Sequence, residues 1–377
     1  MRRHLLAREL RATAPVDAAR AVVALHSTDP VTVFLSVHAR TEGVAPRDVE
    51  RALYEERSLV RMLGMRRTLF VVPRELVPIV EAAATVTVAA RERRRLEQQL
   101  AESGISTRPA RWLADASRAA LRALEARGEA FTSEVAADVP ALAKPLRLAA
   151  GTRFAATQSA ATRVLPLLAA QGRLVRARPR GSWISSQYRW TLREAWLDGG
   201  LAALEPEIAR AELLRAWLAA FGPATEADLR WWTGWTARGA RQALAGVEHA
   251  AVDLDGRVGY VLADDVAPVA APDASAALLP SLDPTTMGWK ERDWYLGAHA
   301  PLLFDTNGNA GPTVWWNGRV VGGWTQRRDG EIAFRVLEDV GADALATIER
   351  EAERLQAWLG DVRFQPRFPT PLQRELR

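Results

Sequence analysis

Residues 109–191 constrain the fold more than any other stretch: three helical segments run straight into two short strands. Residues 109–126 carry a helical pattern that stops at Gly128, Thr132 can cap a short helix over 133–138, and 152–170 reads as a third helix. The strands are Leu174-Val175-Arg176-Ala177-Arg178 and Gln187-Tyr188-Arg189-Trp190-Thr191, with 179–182 near the tip between them. Helices followed by a hairpin is the winged-helix order, and the tip is the candidate wing.

The charge of this segment narrows its partner. Although 25% of the chain is charged, no acidic residue occurs between Asp138 and Glu194. Lys144, Arg147, Arg153, Arg163, Arg173, Arg176, Arg178, Arg180, Arg189 and Arg193 all fall inside that gap. One face must be positive, which is the electrostatic footprint of a phosphate binder. Thr157, Gln158, Ser159 and Thr162 lie beside Arg153 and Arg163 on the expected third helix, a mixture suited to entering a DNA groove. The alternative is a solvated basic face balanced by counterions. The net charge of +5 and pI near 10.1 point the same way, but an excess of that size also occurs in proteins that never touch nucleic acid.

The same order recurs on both sides. Before it, Leu5, Leu6, Leu10 and then Ala18, Ala19, Val22, Val23, Leu25 recur at helical spacing, Asp29-Pro30 restarts the chain into a helix over 31–40, and 51–56 continues in helical style. Residues 59–62 and 67–72 then read as strands joined near Gly64, and a long arginine-rich helix over 78–100 ends before Gly104. Beyond it, 211–221, 226–233 and 237–247 read as helices, and Asp255-Gly256 is a two-residue turn between strands at 252–254 and 258–261. This third group has acids of its own and is expected to pack or position without gripping phosphate. After a Pro- and Ala-rich linker at 267–277, strands at 312–316, 319–325 and 331–337 alternate with the turns Asn317-Gly318 and Asp329-Gly330. A closing helix carries Leu345, Ile348, Ala352, Leu355 and Leu359, with Gly360 just past its end. Trp315, Trp316, Trp324 and Trp358 read as core, the alternative being a stacking surface for bases. The expected fold is mainly α with β wings: winged-helix units at 1–103, 104–200 and 201–266, then a β-rich domain at 267–377.

Several function classes drop out. With no cysteine in 377 residues, neither disulfides nor thiolate zinc sites are possible. No stretch has the continuous apolar run of a signal peptide or a membrane span, so a cytoplasmic protein without membrane contact is expected. Phosphate-cradling glycine loops, histidines paired at metal spacing and nucleophile elbows are also missing, and no metal or cofactor is expected. What remains is Leu25-His26-Ser27-Thr28-Asp29-Pro30, which gathers an imidazole, two hydroxyls and a carboxylate where one helix is expected to end and the next to begin. Asp29 before Pro30 is a good helix cap, a purely structural role that leaves His26 unexplained.

At this point a resemblance enters. The segment from Leu25 to Pro30, followed by Phe34-Leu35-Ser36-Val37-His38-Ala39-Arg40, resembles the first-unit signature of the winged-helix DNA glycosylases typified by AlkZ and YcaQ. Met65-Arg66-Arg67-Thr68-Leu69-Phe70 resembles that family's adjacent hairpin strand. Leu278-Leu279-Pro280-Ser281-Leu282-Asp283-Pro284 with Arg292, and Gly318-Arg319-Val320-Val321-Gly322, resemble its carboxy-terminal landmarks. The resemblance implies three winged-helix units and a β domain around a concave DNA-binding face; double-stranded DNA is the expected partner, and a monomer is the expected state. It also implies a catalytic motif of Gln, an apolar residue, then Gln or Asp, at places held here by His26, Ser27 and Thr28. The readings left open are a variant glycosylase for alkylated purines or bulky adducts, with His26, Thr28 and Asp29 catalytic, and a member that only binds DNA as a regulator or damage sensor. Arg66, Arg153, Arg163, Arg173, Arg176, Arg178, Arg180 and Arg189 are the expected DNA contacts.

Overall fold

A computed structural model describes residues 1–148, 155–197, 203–366 and 369–377. Helix outweighs strand, about 48% against 20%, and the sheets are small, so the chain is mainly α. The first group comprises α1 (Pro15–Arg20), β1 (Leu25–His26), α2 (Pro30–Arg40), α3 (Pro46–Tyr54), β2 (Leu59–Leu63) and β3 (Leu69–Pro73). Proline opens each of the three helices, where its missing N–H has no intrahelical partner to lose. Leu25 is not the last residue of a helix, as its spacing suggests. It pairs with Val71 and His26 with Phe70, making β1 the edge of a sheet ordered β1-β3-β2.

α2 is buried along its whole length, including Ser36, His38 and Arg40. Such a helix needs an answer to its buried cation. Arg40 donates from Nη1 and Nη2 to the two oxygens of Asp283 at 2.8 and 2.7 Å, and Ser36 Oγ donates to the same carboxylate at 2.6 Å. The first-unit signature and the carboxy-terminal landmark are therefore two halves of one buried contact. Thr285 Oγ1 accepts from Arg40 Nη2 at 2.7 Å, and lies 2.9 Å from His4 Nδ1, whose Nε2 faces the Ala220 carbonyl at 2.9 Å. A carbonyl can only accept, so His4 carries a proton on Nε2, while burial and the Arg40 charge disfavour a second proton on Nδ1.

A long helical run follows, formed by α4 (Val77–Val80), a π turn over Glu81–Thr85 and α5 (Val86–Glu102). The extra residue of a π turn leaves carbonyls for outside partners. Trp235 Nε1 donates to the Ala83 carbonyl at 2.9 Å, while Arg193 Nη1 donates to Glu81 at 2.6 Å.

The second group holds α6 (Pro109–Arg127), β4 (Glu129–Ala130), α7 (Thr132–Asp138), α8 (Pro140–Ala143), β5 (Pro145–Leu148), β6 (Ala156–Ser159), α9 (Ala161–Ala170), β7 (Leu174–Pro179), β8 (Tyr188–Leu192) and α10 (Arg193–Trp196). Two sequence expectations need correction. Thr132 is not the cap of α7: Glu134 reaches back to accept from Phe131 N at 2.6 Å, and Thr132 Oγ1 accepts from Trp190 Nε1 at 2.9 Å. The third helix begins at Ala161, and the expected start at 152 lies outside the described residues. Thr157, Gln158 and Ser159 lie in β6, paired with β5 from Arg147 back to Pro145, so they are not residues of a groove-entering helix. Leu96 and Leu100 of α5 pack with Leu113, Leu124, Leu146, Val164, Leu165 and Trp190 in a core of their own, while the rest of the chain shares one continuous core.

The third group, α11 (Pro206–Phe221), α12 (Glu226–Thr233), α13 (Ala237–Ala245), β9 (His249–Leu254) and β10 (Arg257–Leu262), follows the sequence reading closely. Thr225 and Thr236 cap α12 and α13. The last part adds β11 (Ala276–Leu279), α14 (Asp293–Leu296), α15 (Ala300–Leu303), β12 (Thr313–Trp316), β13 (Arg319–Gln326), β14 (Ile332–Val336), α16 (Ala342–Leu359) and α17 (Pro371–Leu376). Its four-stranded sheet runs β11-β12-β13-β14, so the end of the expected linker is a strand. Trp315 and Trp324 are core, at 3% and 1% exposure, and Trp358 Nε1 donates to the Val44 carbonyl, tying α16 to the first group.

Buried histidines make this assembly acid-sensitive. Burial, then the Arg40 charge, push His4 down to about 3, and burial with Arg354 and Arg11 holds His38 well below its ordinary value. Below the unfolded value of ~6.5 the unfolded chain takes up protons that the folded chain refuses, so stability is full above that pH and falls as pH drops. The melting temperature should therefore be lower at pH 5 than at pH 7, and equal values would show these rings to be hydrated.

Candidate active site

The strand pairing that corrects the helix reading also builds the site. Along β1 and the residue after it, side chains alternate: Leu25 is fully buried, His26 half-buried, Ser27 buried at 1% exposure. The ladder continues one step, as Ser27 N donates to the Leu69 carbonyl at 2.8 Å. His26 meets the Phe70 ring edge to face at 5.6 Å, and its Nδ1 accepts from Thr28 N over a long 3.4 Å. That contact favours the tautomer protonated on Nε2. Burial, then the Arg66 charge, lower His26 to about 4, so the ring is neutral near pH 7. Thr28 is exposed, and Asp29 Oδ1 accepts from Val31 N at 3.3 Å, capping α2 ahead of Pro30.

Ser27 is spoken for. Arg61, a charged residue inside the apolar strand β2, donates from Nε to Ser27 Oγ at 2.7 Å and from Nη1 to the Tyr54 hydroxyl at 3.0 Å. The Tyr188 ring of β8 covers its guanidinium at 4.4 Å. Arg61 is only 3% exposed and has no carboxylate partner among the described residues, so tyrosine faces and hydroxyls carry its charge. Sequence reading passed over this residue, although an arginine between Val60 and Met62 is a visible break in the pattern.

The expected DNA contacts divide into four sets. Arg66 sits in the turn between β2 and β3, where it and Arg67 both have positive φ, and stacks 4.4 Å from the Trp231 ring; Arg292 lies 4.7 Å from the same ring. Arg176 faces Trp190 at 4.5 Å, and burial with the nearby Arg61 charge brings it down to about 10. Arg178 is held by Glu55 at 2.9 Å and Glu50 at 3.5 Å, while Arg180 and Arg189 both stack on Phe131. Arg163 lies near Arg67 and Arg95, Arg173 is exposed at the start of the hairpin, and Arg153 lies outside the described residues. The structure thus places His26, Thr28 and Asp29 in succession where β1 leads into α2, with the Arg66 charge acting on His26, and turns Arg176 and Arg178 toward protein partners.

The model of the DNA glycosylase AlkZ-like family matches residues 19–358. Among solved structures the fold is similar to that of Streptomyces sahachiroi DNA glycosylase AlkZ, with a TM-score of 0.72 and 20% identity over 94% of each chain. No curated protein matches the sequence. At 20% identity the structural likeness speaks for the fold alone.

Proposed function

The chain belongs to the DNA glycosylase AlkZ-like family, and from that premise we propose that it hydrolyses the N-glycosidic bond of an alkylated purine or a bulkier adduct in double-stranded DNA. The observation that carries the reading is a neutral His26 on the edge strand of one sheet, followed by the exposed Thr28 and the Asp29 carboxylate, with the Arg66 charge acting on the ring. In the reaction a water oxygen bonds to C1′ of the sugar and gives up one proton to bulk water, while the bond from C1′ to the base nitrogen breaks and its electron pair leaves with the base. For a purine alkylated on a ring nitrogen that pair neutralises the cationic ring, so the base departs readily and the protein need only place the water and support an oxocarbenium-like sugar. His26 holds the water, Thr28 orients it, and the Asp29 charge favours the sugar cation. His26 is a poor proton acceptor here, because its basicity is depressed and Nδ1 already faces the Thr28 amide.

The groups at 1–103, 104–200 and 201–266 are read as winged-helix units, with 267–377 as the β domain. Three helices followed by a hairpin in the third group, a hairpin directly after α9 in the second, and a small sheet after the helices in the first support that reading. The protein is read as a cytoplasmic monomer; no described helix is long and apolar enough to cross a membrane. A single-turnover assay on duplex DNA carrying an alkylated purine, scored for alkali-labile abasic sites, should show strand scission. Absence of release from methylated, bulky and cross-linked substrates alike would remove the enzyme reading and leave a DNA binder.

A further inference from the structure

Across the sheet β1-β3-β2, Leu25 and Arg61 both pair with Val71, and His26 and Met62 both pair with Phe70. Side chains opposite one another in an antiparallel ladder share a face, and successive ones alternate. Arg61 therefore stands on the face of Leu25 and Ser27, and His26 on the other, against Phe70. To reach Ser27 Oγ at 2.7 Å, the Arg61 side chain crosses β3 from the far edge of the sheet.

Stability does not account for this arrangement. Arg61 is 3% exposed, its Nη2 and the Tyr188 hydroxyl are buried without a hydrogen-bond partner among the described residues, and its charge acts on the neighbouring Arg176. A buried cation with an unsatisfied donor beside a second cation is costly, and an apolar side chain of similar volume would serve the packing better. A residue that breaks the pattern of its strand at such a cost points to function in the group it holds.

What Arg61 holds is the end of a very short strand. β1 has two residues, and its ladder ends with Ser27 N donating to the Leu69 carbonyl at 2.8 Å; Thr28 and Asp29 follow before α2 begins at Pro30. An edge strand this short is weakly held by itself, while a misplacement of about 1 Å near the chemistry can cost on the order of 100-fold in rate. The Arg61 bond anchors Ser27 by its side chain as well as its backbone, between His26 and Thr28. The Tyr54 hydroxyl at 3.0 Å and the Tyr188 ring at 4.4 Å in turn fix the guanidinium, the second of them from β8 of the second group.

We propose that Arg61 is a positioning residue for base release: through Ser27 it sets where His26 and Thr28 stand, and through Tyr188 it ties that setting to the hairpin of the second group. The proposal rests on the base-release reading above, so one arm of its test needs no reaction. Arg61→Met with Ser27→Ala removes both ends of the bond and should melt close to the parent. In single turnover this double variant should release base about 100-fold more slowly at unchanged duplex affinity, and Arg61→Lys, which keeps the charge and a donor, about tenfold more slowly. In the free protein, nuclear magnetic resonance should show the His26 ring of the double variant titrating above its parental value of about 4, toward ~6.5, as water reaches a loosened strand. Arg61→Lys remains informative if the double variant does not fold. A folded variant with parental release and a parental His26 titration would overturn the proposal, as would a loss of release matched by an equal loss of duplex affinity. Should the parent release no base from any substrate, the glycosylase reading falls on that result alone. The titration then decides whether Arg61 holds the segment, a raised His26 value upholding the placement and an unmoved one overturning it.

Discussion

Asp283→Ala should destabilise the folded chain by about 3–5 kcal/mol, because it strands the Arg40 guanidinium in the core. Both side chains are 0% exposed, and the pair is fully engaged: two parallel donations from Arg40, one from Ser36 Oγ and one from Thr285 N converge on the carboxylate. Burial alone would raise the Asp283 carboxyl, but the Arg40 charge and these donors hold it below the usual carboxylate range. Its contribution is accordingly present above the unfolded carboxylate value and lost only as pH falls through the lowered folded one. The effect should appear as a shift in urea midpoint with little change in slope. Removing both charges in Arg40→Met with Asp283→Leu should recover much of the loss, since neither partner is then left unpaired. A loss under ~1 kcal/mol in the single variant would mean that water reaches the pair, against the exposure values on which the expectation stands.

That contact also illustrates what the sequence does and does not disclose. Helices, hairpin turns and caps are local, so Gly128, Asp255-Gly256 and the repeat through Leu345 and Leu359 are readable where they stand. The partnership of Arg40 with Asp283 is not, because nothing near either residue names the other. Strand β1 is hidden for the same reason: two residues become a strand only when β3 lies beside them. Strand β11 is buried on both faces, and a continuous apolar run after an alanine-rich linker has no period to detect. β5 was open to a closer reading, since Leu146 and Leu148 alternate with exposed Pro145 and Arg147. Charge was legible in amount but not in direction. The acid-free stretch promised a phosphate-facing hairpin, yet Arg178 turns to Glu55 and Arg176 to Trp190.

His26→Ala should slow single-turnover base release by about 100-fold while leaving duplex affinity nearly unchanged, because a water-positioning group acts on the transition state and contributes little to binding undamaged DNA. The unperturbed imidazole would place a fall in activity near pH ~6.5. With burial and Arg66 bringing the ring down to about 4, activity should instead hold level from pH 7 to 5 and decline only as pH approaches that lower value. His26→Gln separates the possible roles of the ring. Glutamine offers hydrogen bonds without a titration, and the family resemblance places glutamine at this position, so release should stay within about tenfold of the parent and the acidic decline should vanish. An inactive His26→Gln protein, or a parental profile falling through ~6.5, would show that the ring takes the water's proton and is more basic than its burial beside Phe70 allows. Asp29→Asn completes the comparison. Asparagine caps a helix about as well as aspartate, so stability should hold while release slows if the carboxylate charge supports the sugar cation. Unchanged release in that variant would confine Asp29 to a structural part at the start of α2, leaving His26 and Thr28 to place the water.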